Sequence, residues 1–267
     1  MKAQPCSALQ VAQAYDSIAA DYDAQVEAGA WMRRILWERY AVLFKAGQRI
    51  LDLSCGTGID SIFLAQRGLH VTAVDVSPGM VAQLRQKACR LGLSEAVEVL
   101  VRDIGAIDEW PAEDAPFDGA ISAFAGLSTL PDLTALGAAL SARLKPSAHV
   151  LVHMLNRHDL WKTVERLRRK GWRRDDRSAC ADTMLVSIGG VTLPHYLHTP
   201  MDAYRRYFAA SFRLCRVYGM GVLRPPRIPH WLRGPGLATL TRLDRYAAAL
   251  YPLSGWGTFF VLEMQKR

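Results

Sequence analysis

Over the first 155 residues, short continuous apolar runs alternate with longer stretches in which apolar residues recur every three or four positions. Runs at 48–54, 70–76, 96–102, 118–124 and 149–155 read as strands, since a strand covered on both faces loses the in–out alternation of a half-exposed one. Between them, 59–67 has helical spacing and stops at Gly68, a natural C-cap. The stretch 77–91 carries Met80, Leu84, Ala88 and Leu91 on one helical face and stops at Gly92. A third stripe, Leu133, Leu136, Leu140 and Leu144, is closed by Lys145 and Pro146. A helix over 31–44 precedes them. Alternation of this kind predicts an α/β fold, a parallel sheet with helices on both faces.

Beyond Asn156 the pattern changes. A basic helix spans 157–170, and 184–198 reads as a hairpin turning at Gly189 and Gly190. A helix near 201–210 leads to a strand at 212–222, and the last strand is 257–264. These two final strands are expected to pair antiparallel. Prolines at 225, 226 and 229 mark a rigid loop.

The first strand runs straight into a Gly-x-Gly turn, Gly56-Thr57-Gly58, and the second ends on Asp75, 19 residues after Gly56. A parallel strand entering such a turn, with a carboxylate closing the next strand, builds a nucleoside pocket at the strands' carboxyl ends; the acid accepts from the ribose hydroxyls. Capping the next helix is the competing role for Asp75, but Ser77, with Pro78 behind it, already fills that place. Asp52 lies four residues before Gly56, where a dinucleotide fingerprint carries an apolar residue or glycine, and it suits a ligand with a cationic amine. The fingerprint's third small residue is here Ser61, which weakens a dinucleotide reading further.

These residues resemble those of the class I S-adenosylmethionine-dependent methyltransferases. The likeness lies in the acid-x-small-x-Gly-x-Gly motif (Asp52, Ser54, Gly56 and Gly58), the ribose acid Asp75, the following Ser77 to Met80, the pair Asp103 and Ile104 where the family's acid approaches the adenine amine, and the fourth strand from Phe117 to Phe124. It implies a Rossmann-like, seven-stranded, mostly parallel sheet with an antiparallel last strand, and S-adenosyl-L-methionine as cofactor. It implies further that the segment from Tyr15 and Asp16 to Tyr22 and Asp23 folds over the cofactor as a lid, its two tyrosines seven apart on one helical face. The cofactor residues so expected are Tyr15, Tyr22, Asp52, Ser54, Cys55, Gly56, Thr57, Gly58, Asp75, Val76, Met80, Asp103, Ile104 and Ala123. The single domain 1–267 then divides into a helical lid (1–47), a cofactor-binding core (48–156), substrate-side insertions (157–211 and 224–256) and a terminal strand pair (212–223 and 257–267).

Composition narrows the setting. With 267 residues and 50% hydrophobic side chains the chain can bury a full core as one large domain. No apolar run reaches the roughly 20 residues that span a bilayer, and the first residues lack the apolar region of a secretion signal, so the cytoplasm is the expected compartment. Five cysteines, at 6, 55, 89, 180 and 215, are scattered without a Cys-x-x-Cys pair, which indicates neither a disulfide framework nor zinc; Cys55 reads as a small packing residue. A net charge of +8 raises the question of nucleic acid. The densest cluster, 166–174, is diluted at once by Asp175 and Asp176 and reads first as a solvated helix end, then as a contact for an anionic substrate, and only then as an RNA surface.

Methyl transfer from a sulfonium needs alignment, dehydration and electrostatics more than a fixed catalytic dyad. If the acceptor is a hydroxyl or a protonated amine, a base helps, and the candidates are His153, His158, His195 and His198. Tyr196 and His198, on one face of an extended strand, are preferred, with His153 beside them. Phe124, Met220, Trp231 and Trp256 are candidates for an apolar pocket wall. After the fourth strand stands Ser122-Ala-Phe-Ala-Gly126, without the Asn/Asp-Pro-Pro-aromatic signature of base-amine methyltransferases or the Pro-Cys of pyrimidine-carbon enzymes. The acidic cluster of metal-dependent catechol-type members is also not evident. The expectation is a metal-free enzyme methylating O or N of a small, anionic or aromatic metabolite. Two alternatives stand beside it, an RNA methyltransferase or RNA-binding module using 166–174, and an NAD(P)-dependent oxidoreductase.

Overall fold

The computed structural model describes residues 5–111, 115–170, 182–225, 228 and 234–267, with 166–170 in backbone alone. Seven strands form one sheet. They are β1 (Arg49–Leu53), β2 (His70–Asp75), β3 (Val97–Val101), β4 (Phe117–Ser122), β5 (Leu144–Leu155), β8 (Phe212–Met220) and β9 (Phe259–Lys266), in the order β3-β2-β1-β4-β5-β9-β8. The first five are parallel, β9 runs antiparallel to β5, and β8 pairs antiparallel with β9. The expected sheet is therefore present. Two further strands, β6 (Thr183–Ile188) and β7 (Val191–Tyr196), form a separate hairpin turning at Gly189 and Gly190.

Strand residues alternate between two cores, as a pleated sheet covered on both faces requires. Leu51, Leu53, Ala120, Val150, Val152, Phe260 and Leu262 face a cluster completed by Leu136 and Leu140 of α6 (Thr134–Ala142) and by Phe208. Ile50, Ile121, Leu151 and Val261 face the opposite cluster. It is built by Leu36 and Tyr40 of α3 (Ala30–Leu43), Ile62 and Leu64 of α4 (Ile59–Ala65), and Val81 and Leu84 of α5 (Pro78–Arg90).

In the strand order the connections reverse direction between β1 and β4. The loops leaving these two strands turn to opposite faces, and a crevice opens at their carboxyl ends, where ligands of open α/β sheets bind.

The N-terminal segment lies over this crevice, but not as one helix. After α1 (Ala8–Asp16), capped by a reciprocal Ser7–Gln10 box, the chain turns through 17–21 and resumes as α2 (Tyr22–Gln25). Tyr15 and Tyr22 thus do not share a helical face. They meet across the chain reversal, edge to face with ring centres 6.4 Å apart. The aspartates that follow them fasten the segment down. Asp16 Oδ1 accepts from Ser77 Oγ at 2.5 Å and Gly79 N–H at 2.7 Å, adding a carboxylate to the positive end of α5. Asp23 accepts from Thr57 Oγ1 at 2.5 Å and Lys87 Nζ at 2.7 Å. The tip of the β6–β7 hairpin presses on the end of α1: a Cβ added to Gly189 would lie 1.7 Å from Ser17 Oγ.

Remaining departures are local. The helix expected from 157 starts later, as α7 (Leu160–Lys170), because Asp159 Oδ1 accepts from Trp161 N–H and caps it. The strand expected over 118–124 stops at Ser122, since Phe124 and Ala125 both take left-handed backbone angles. The helix expected over 201–210 is α8 (Pro200–Ala203) followed by a wider turn at 204–208, and 224–256 contains the further helix α9 (Pro235–Ala247). Of the basic cluster, 166–170 closes α7 and 171–174 lie outside the described residues, as do Cys180, Trp231 and part of the proline loop.

Replacing Asp16 by Ala removes both bonds between α1 and α5. The expected loss is about 1 kcal/mol, as for a helix cap. Amide exchange over residues 8–25 should rise before that of β1, β4 and β5; unchanged exchange in the segment would show that Asp16 does not hold it.

Candidate functional site

The crevice is a cavity of about 1130 Å³, its open mouth included. Ser54 (φ 58°), Gly56 (φ 56°) and Gly58 (φ 74°) carry the chain from β1 to α4 through three left-handed positions. Opposite stands the turn leaving β4, so close that a Cβ on Gly126 would lie 2.2 Å from Ser54 Cβ. Only glycine lets these two loops meet.

Twelve of the residues expected to meet a cofactor line this cavity: Tyr15, Tyr22, Asp52, Ser54, Cys55, Gly56, Thr57, Asp75, Val76, Asp103, Ile104 and Ala123. Two do not. Gly58 faces the protein, where an added Cβ would lie 2.1 Å from Leu84 Cδ1, so it secures the packing of α4 against α5. Met80 is buried in α5, its N–H bound to the capping Ser77 Oγ at 3.0 Å.

Asp75 accepts from Gly56 N–H at 2.8 Å through Oδ2 and from Ser77 N–H at 3.0 Å through Oδ1. These amides fix its plane at the end of β2 and leave each oxygen a further lone pair. Burial raises its pKa, and the amides oppose the rise. Asp103 is held similarly, Oδ1 accepting from Gly105 N–H at 2.8 Å, at the wall where Ile104 forms an apolar floor.

Asp52 is 1% exposed and accepts one bond, from Ser61 Oγ at 2.5 Å. Burial, and then the neighbouring Asp60, push its pKa up to about 8. At neutral pH the free protein therefore holds much of Asp52 uncharged, a poised acceptor for a cation. Ser61, in the dinucleotide fingerprint's third position, is committed to this carboxyl group.

Sequence reasoning missed the buried cation near this acid. Arg33, on α3 and buried, pairs with Asp60 through Nη1 and lies flat on the Phe124 ring, 4.1 Å from its centre. Trp37 Nε1–H donates to the other oxygen of Asp60 at 2.8 Å. Arg33, Asp60 and Phe124 all line the cavity, which therefore presents a guanidinium as well as the Asp52 carboxyl. Nothing in the spacing of α3 marks Arg33 as buried, because a helix of mixed charge normally turns its arginines to solvent.

The expected catalytic residues do not line the cavity. His153, within β5, is enclosed by Phe124 and Phe259, and its Nδ1 accepts from Phe124 N–H at 2.9 Å. His198 follows β7, with its ring edge-on to Tyr207 and its pKa lowered by burial, then by Arg157 and Arg206. Tyr196 Oη is buried without a protein partner, and burial raises the pKa of the phenol. His195 is buried on the hairpin and His158 is exposed. Of the apolar candidates, Phe124 lines the cavity, Met220 is core, and Trp256 is 43% exposed. Cys55 lines the cavity with a thiol that burial holds well above its ordinary pKa, which suits packing rather than nucleophilic attack.

Residues 50–147 match a family model described as a methyltransferase domain. A ubiquinone biosynthesis O-methyltransferase from Xylella fastidiosa is 40% identical over 114 residues, 42% of this chain and 44% of that protein, so the match spans less than half of the curated relative. Among solved structures, the [4+2]-cyclase SpnF superposes with a TM-score of 0.65 at 18% identity, covering 100% of this chain and 99% of the other. The CcbJ methyltransferase from Streptomyces caelestis gives 0.58 at 17% identity, covering 86% and 93%. At such identities the structural likenesses speak for the fold. The matched domain, the strand order and the acid-flanked glycine turn at the β1–β4 crevice are similar to those of the class I S-adenosylmethionine-dependent methyltransferases.

Proposed function

We propose that this protein transfers a methyl group from S-adenosylmethionine to an oxygen or nitrogen of a small-molecule acceptor. The observation that carries the reading is the juxtaposition, in one crevice, of a buried Asp52 carboxyl, the Arg33 guanidinium and Asp75 on its pair of backbone amides. The fold alone would not suffice, since a cyclase shares it. A zwitterionic amino-acid end and a ribose are what this set of groups complements.

The donor set fits S-adenosylmethionine. Asp52 would receive the ammonium, Arg33 the carboxylate, Asp75 the ribose hydroxyls, and Asp103 and Ile104 the adenine. When bound, the cofactor supplies an electrophilic methyl on a sulfonium. The protein's own work is to hold that end under the lid of α1 and α2, to keep water from it with Tyr15 and Tyr22, and to present an acceptor lone pair in line. Burial raises both phenols, so the tyrosines stay neutral over the sulfonium end. The name of the curated relatives favours oxygen as the acceptor atom. Tyr196, whose hydroxyl is buried without a protein partner, stays the candidate for meeting the acceptor, although neither it nor His198 lines the cavity.

A pyrophosphate would meet the carboxyl groups of Asp52 and Asp60 at the same turn, which speaks against the dinucleotide alternative. No described helix is long and apolar enough to cross a membrane.

Asp75→Ala should weaken S-adenosylmethionine binding by about 2 kcal/mol or more, through unpaired ribose hydroxyls in a desolvated site. Calorimetry reads this directly, and a variant of unchanged affinity would reduce Asp75 to a structural acid. A mass-spectrometric screen of phenolic and amine acceptors, seeking a cofactor-dependent gain of one methyl, tests the reaction; no methylated product from any acceptor, with cofactor bound, would overturn it.

Asp52→Asn separates stability from binding. Because the folded-state pKa, about 8, lies above the ordinary 3.8, folding favours the protonated acid. The free protein thus carries no penalty below pH 4, loses stability as pH rises from 4 to 8, and keeps that loss above it. Asparagine removes the ionisation. The variant's Tm should exceed the parent's at pH 8 by a few degrees and match it at pH 4, while its affinity for S-adenosylmethionine falls. A lower Tm at pH 8 would contradict the burial of an unpaired acid.

A further inference from the structure

His153 holds the turn after β4 at two points. Its Nδ1 accepts from Phe124 N–H at 2.9 Å, and its backbone carbonyl accepts from Ala125 N–H at 3.1 Å. Phe124 (φ 51°) and Ala125 (φ 62°) are consecutive residues with side chains in the left-handed region, a conformation costing of order 1 kcal/mol or more at each unless its surroundings impose it. This turn builds one wall of the cavity, formed by Ala123, Phe124, Gly126, Thr129, Leu130 and Pro131. The Phe124 ring in turn carries Arg33 on its face and touches the space where Gly29 lacks a side chain, 3.0 Å from Phe124 Cε1.

We propose that His153 is a positioning residue, which fixes the Phe124 turn by hydrogen bonding and through it sets the Arg33 guanidinium for the amino-acid end of the cofactor. A base role is closed to it on geometric grounds. The nitrogen that could take a proton, Nδ1, is already an acceptor for a backbone amide, and the neutral ring therefore carries its proton on Nε2. Nε2 is buried and has no protein partner. Burial, with Arg33 nearby, holds the pKa down at about 3, so the imidazole keeps one tautomer across the working range. The strained turn depends on that constancy, since a protonated Nδ1 would lose its acceptor lone pair and release Phe124 N–H into an apolar enclosure.

The inference rests on Asp52 and Arg33 receiving the amino-acid end, and the test uses two probes that differ there. S-adenosylhomocysteine has the amino-acid end; methylthioadenosine has the ribose and adenine without it. His153→Phe fills the same space but leaves Phe124 N–H unpaired, and should weaken S-adenosylhomocysteine about tenfold by the lost buried hydrogen bond, with methylthioadenosine changed less than threefold. His153→Asn can place an amide oxygen near the Nδ1 position and should restore most of the affinity lost in His153→Phe. In the parent protein, nitrogen NMR of labelled histidine should show His153 protonated at Nε2 alone and invariant between pH 5 and pH 9. That measurement keeps the inference open to refutation even if His153→Phe does not fold. Equal loss of both probes would assign His153 a general structural role, and full retention of both would leave it no role at the site; either result, or a titrating ring, overturns the proposal. Should the parent protein bind methylthioadenosine but not S-adenosylhomocysteine, the assignment of the amino-acid end falls, and this inference with it.

Discussion

A carboxyl group buried at the end of a parallel strand is the constraint around which this molecule is arranged. Asp52 sits in the middle of the sheet, next to β2 and β4, where a hydrocarbon side chain would be more stable than a carboxyl group. One hydroxyl, from Ser61, is its only direct partner among the described residues. A nearby cation exists, but Asp60 has taken it: Arg33 is paired there, with Trp37 supporting the other oxygen. Among the described residues, Asp52, Asp60, Asp75 and Asp103 thus line the crevice with one guanidinium, Arg33, so the site carries more acid than cation and suits a ligand that brings positive charge.

The rest of the fold serves to bring the two sides of that crevice together. Parallel strands and crossover helices place the ends of β1 and β4 side by side, and glycine at 126 lets the second loop close on Ser54. The lid is then attached by side chains, not by packing alone. Asp16 grips the start of α5 two residues from Asp75, and Asp23 grips Thr57 inside the glycine turn. Both anchors rest on residues next to, or part of, the lining of the crevice, Ser77 beside Val76 and Thr57 within the glycine turn.

Much of this was legible in the chain. Continuous apolar runs at 70–76 and 118–124 announce strands covered on both faces, and Ser77 with Pro78 announces the start of α5, because those signals act within a few residues. The glycine turn and Asp75 were legible for the same reason. Two kinds of feature were not. The tyrosines at 15 and 22 suit a helix by spacing alone, and only the reversal at 17–21, latched by Asp16 to a residue 61 positions away, separates them. Arg33 and His153 gain their meaning from Phe124, a residue whose left-handed backbone no local rule announces, since the run from 117 onward is apolar enough to continue as a strand.

Long-range contacts of this kind also make the acceptor side harder to read than the cofactor side. Residues 50–147, which match the methyltransferase domain, contain the whole first wall of the crevice: Asp52, the glycine turn, Asp75, Asp103 and the turn at Phe124. The β6–β7 hairpin, α7 and α9 lie beyond that span. Their contacts with the rest of the chain include Gly189 against Ser17 and the buried Asp244 carboxylate accepting from the amides of Gly221, Leu223 and Arg224. A fold shared with a cyclase does not by itself fix the chemistry. The β6–β7 hairpin meets the surroundings of the cavity at two places, α1 through Gly189 and the turn Gly126–Thr129 through β7. A change in the hairpin would therefore be felt at α1 and at the turn after β4 before it was felt at Asp75.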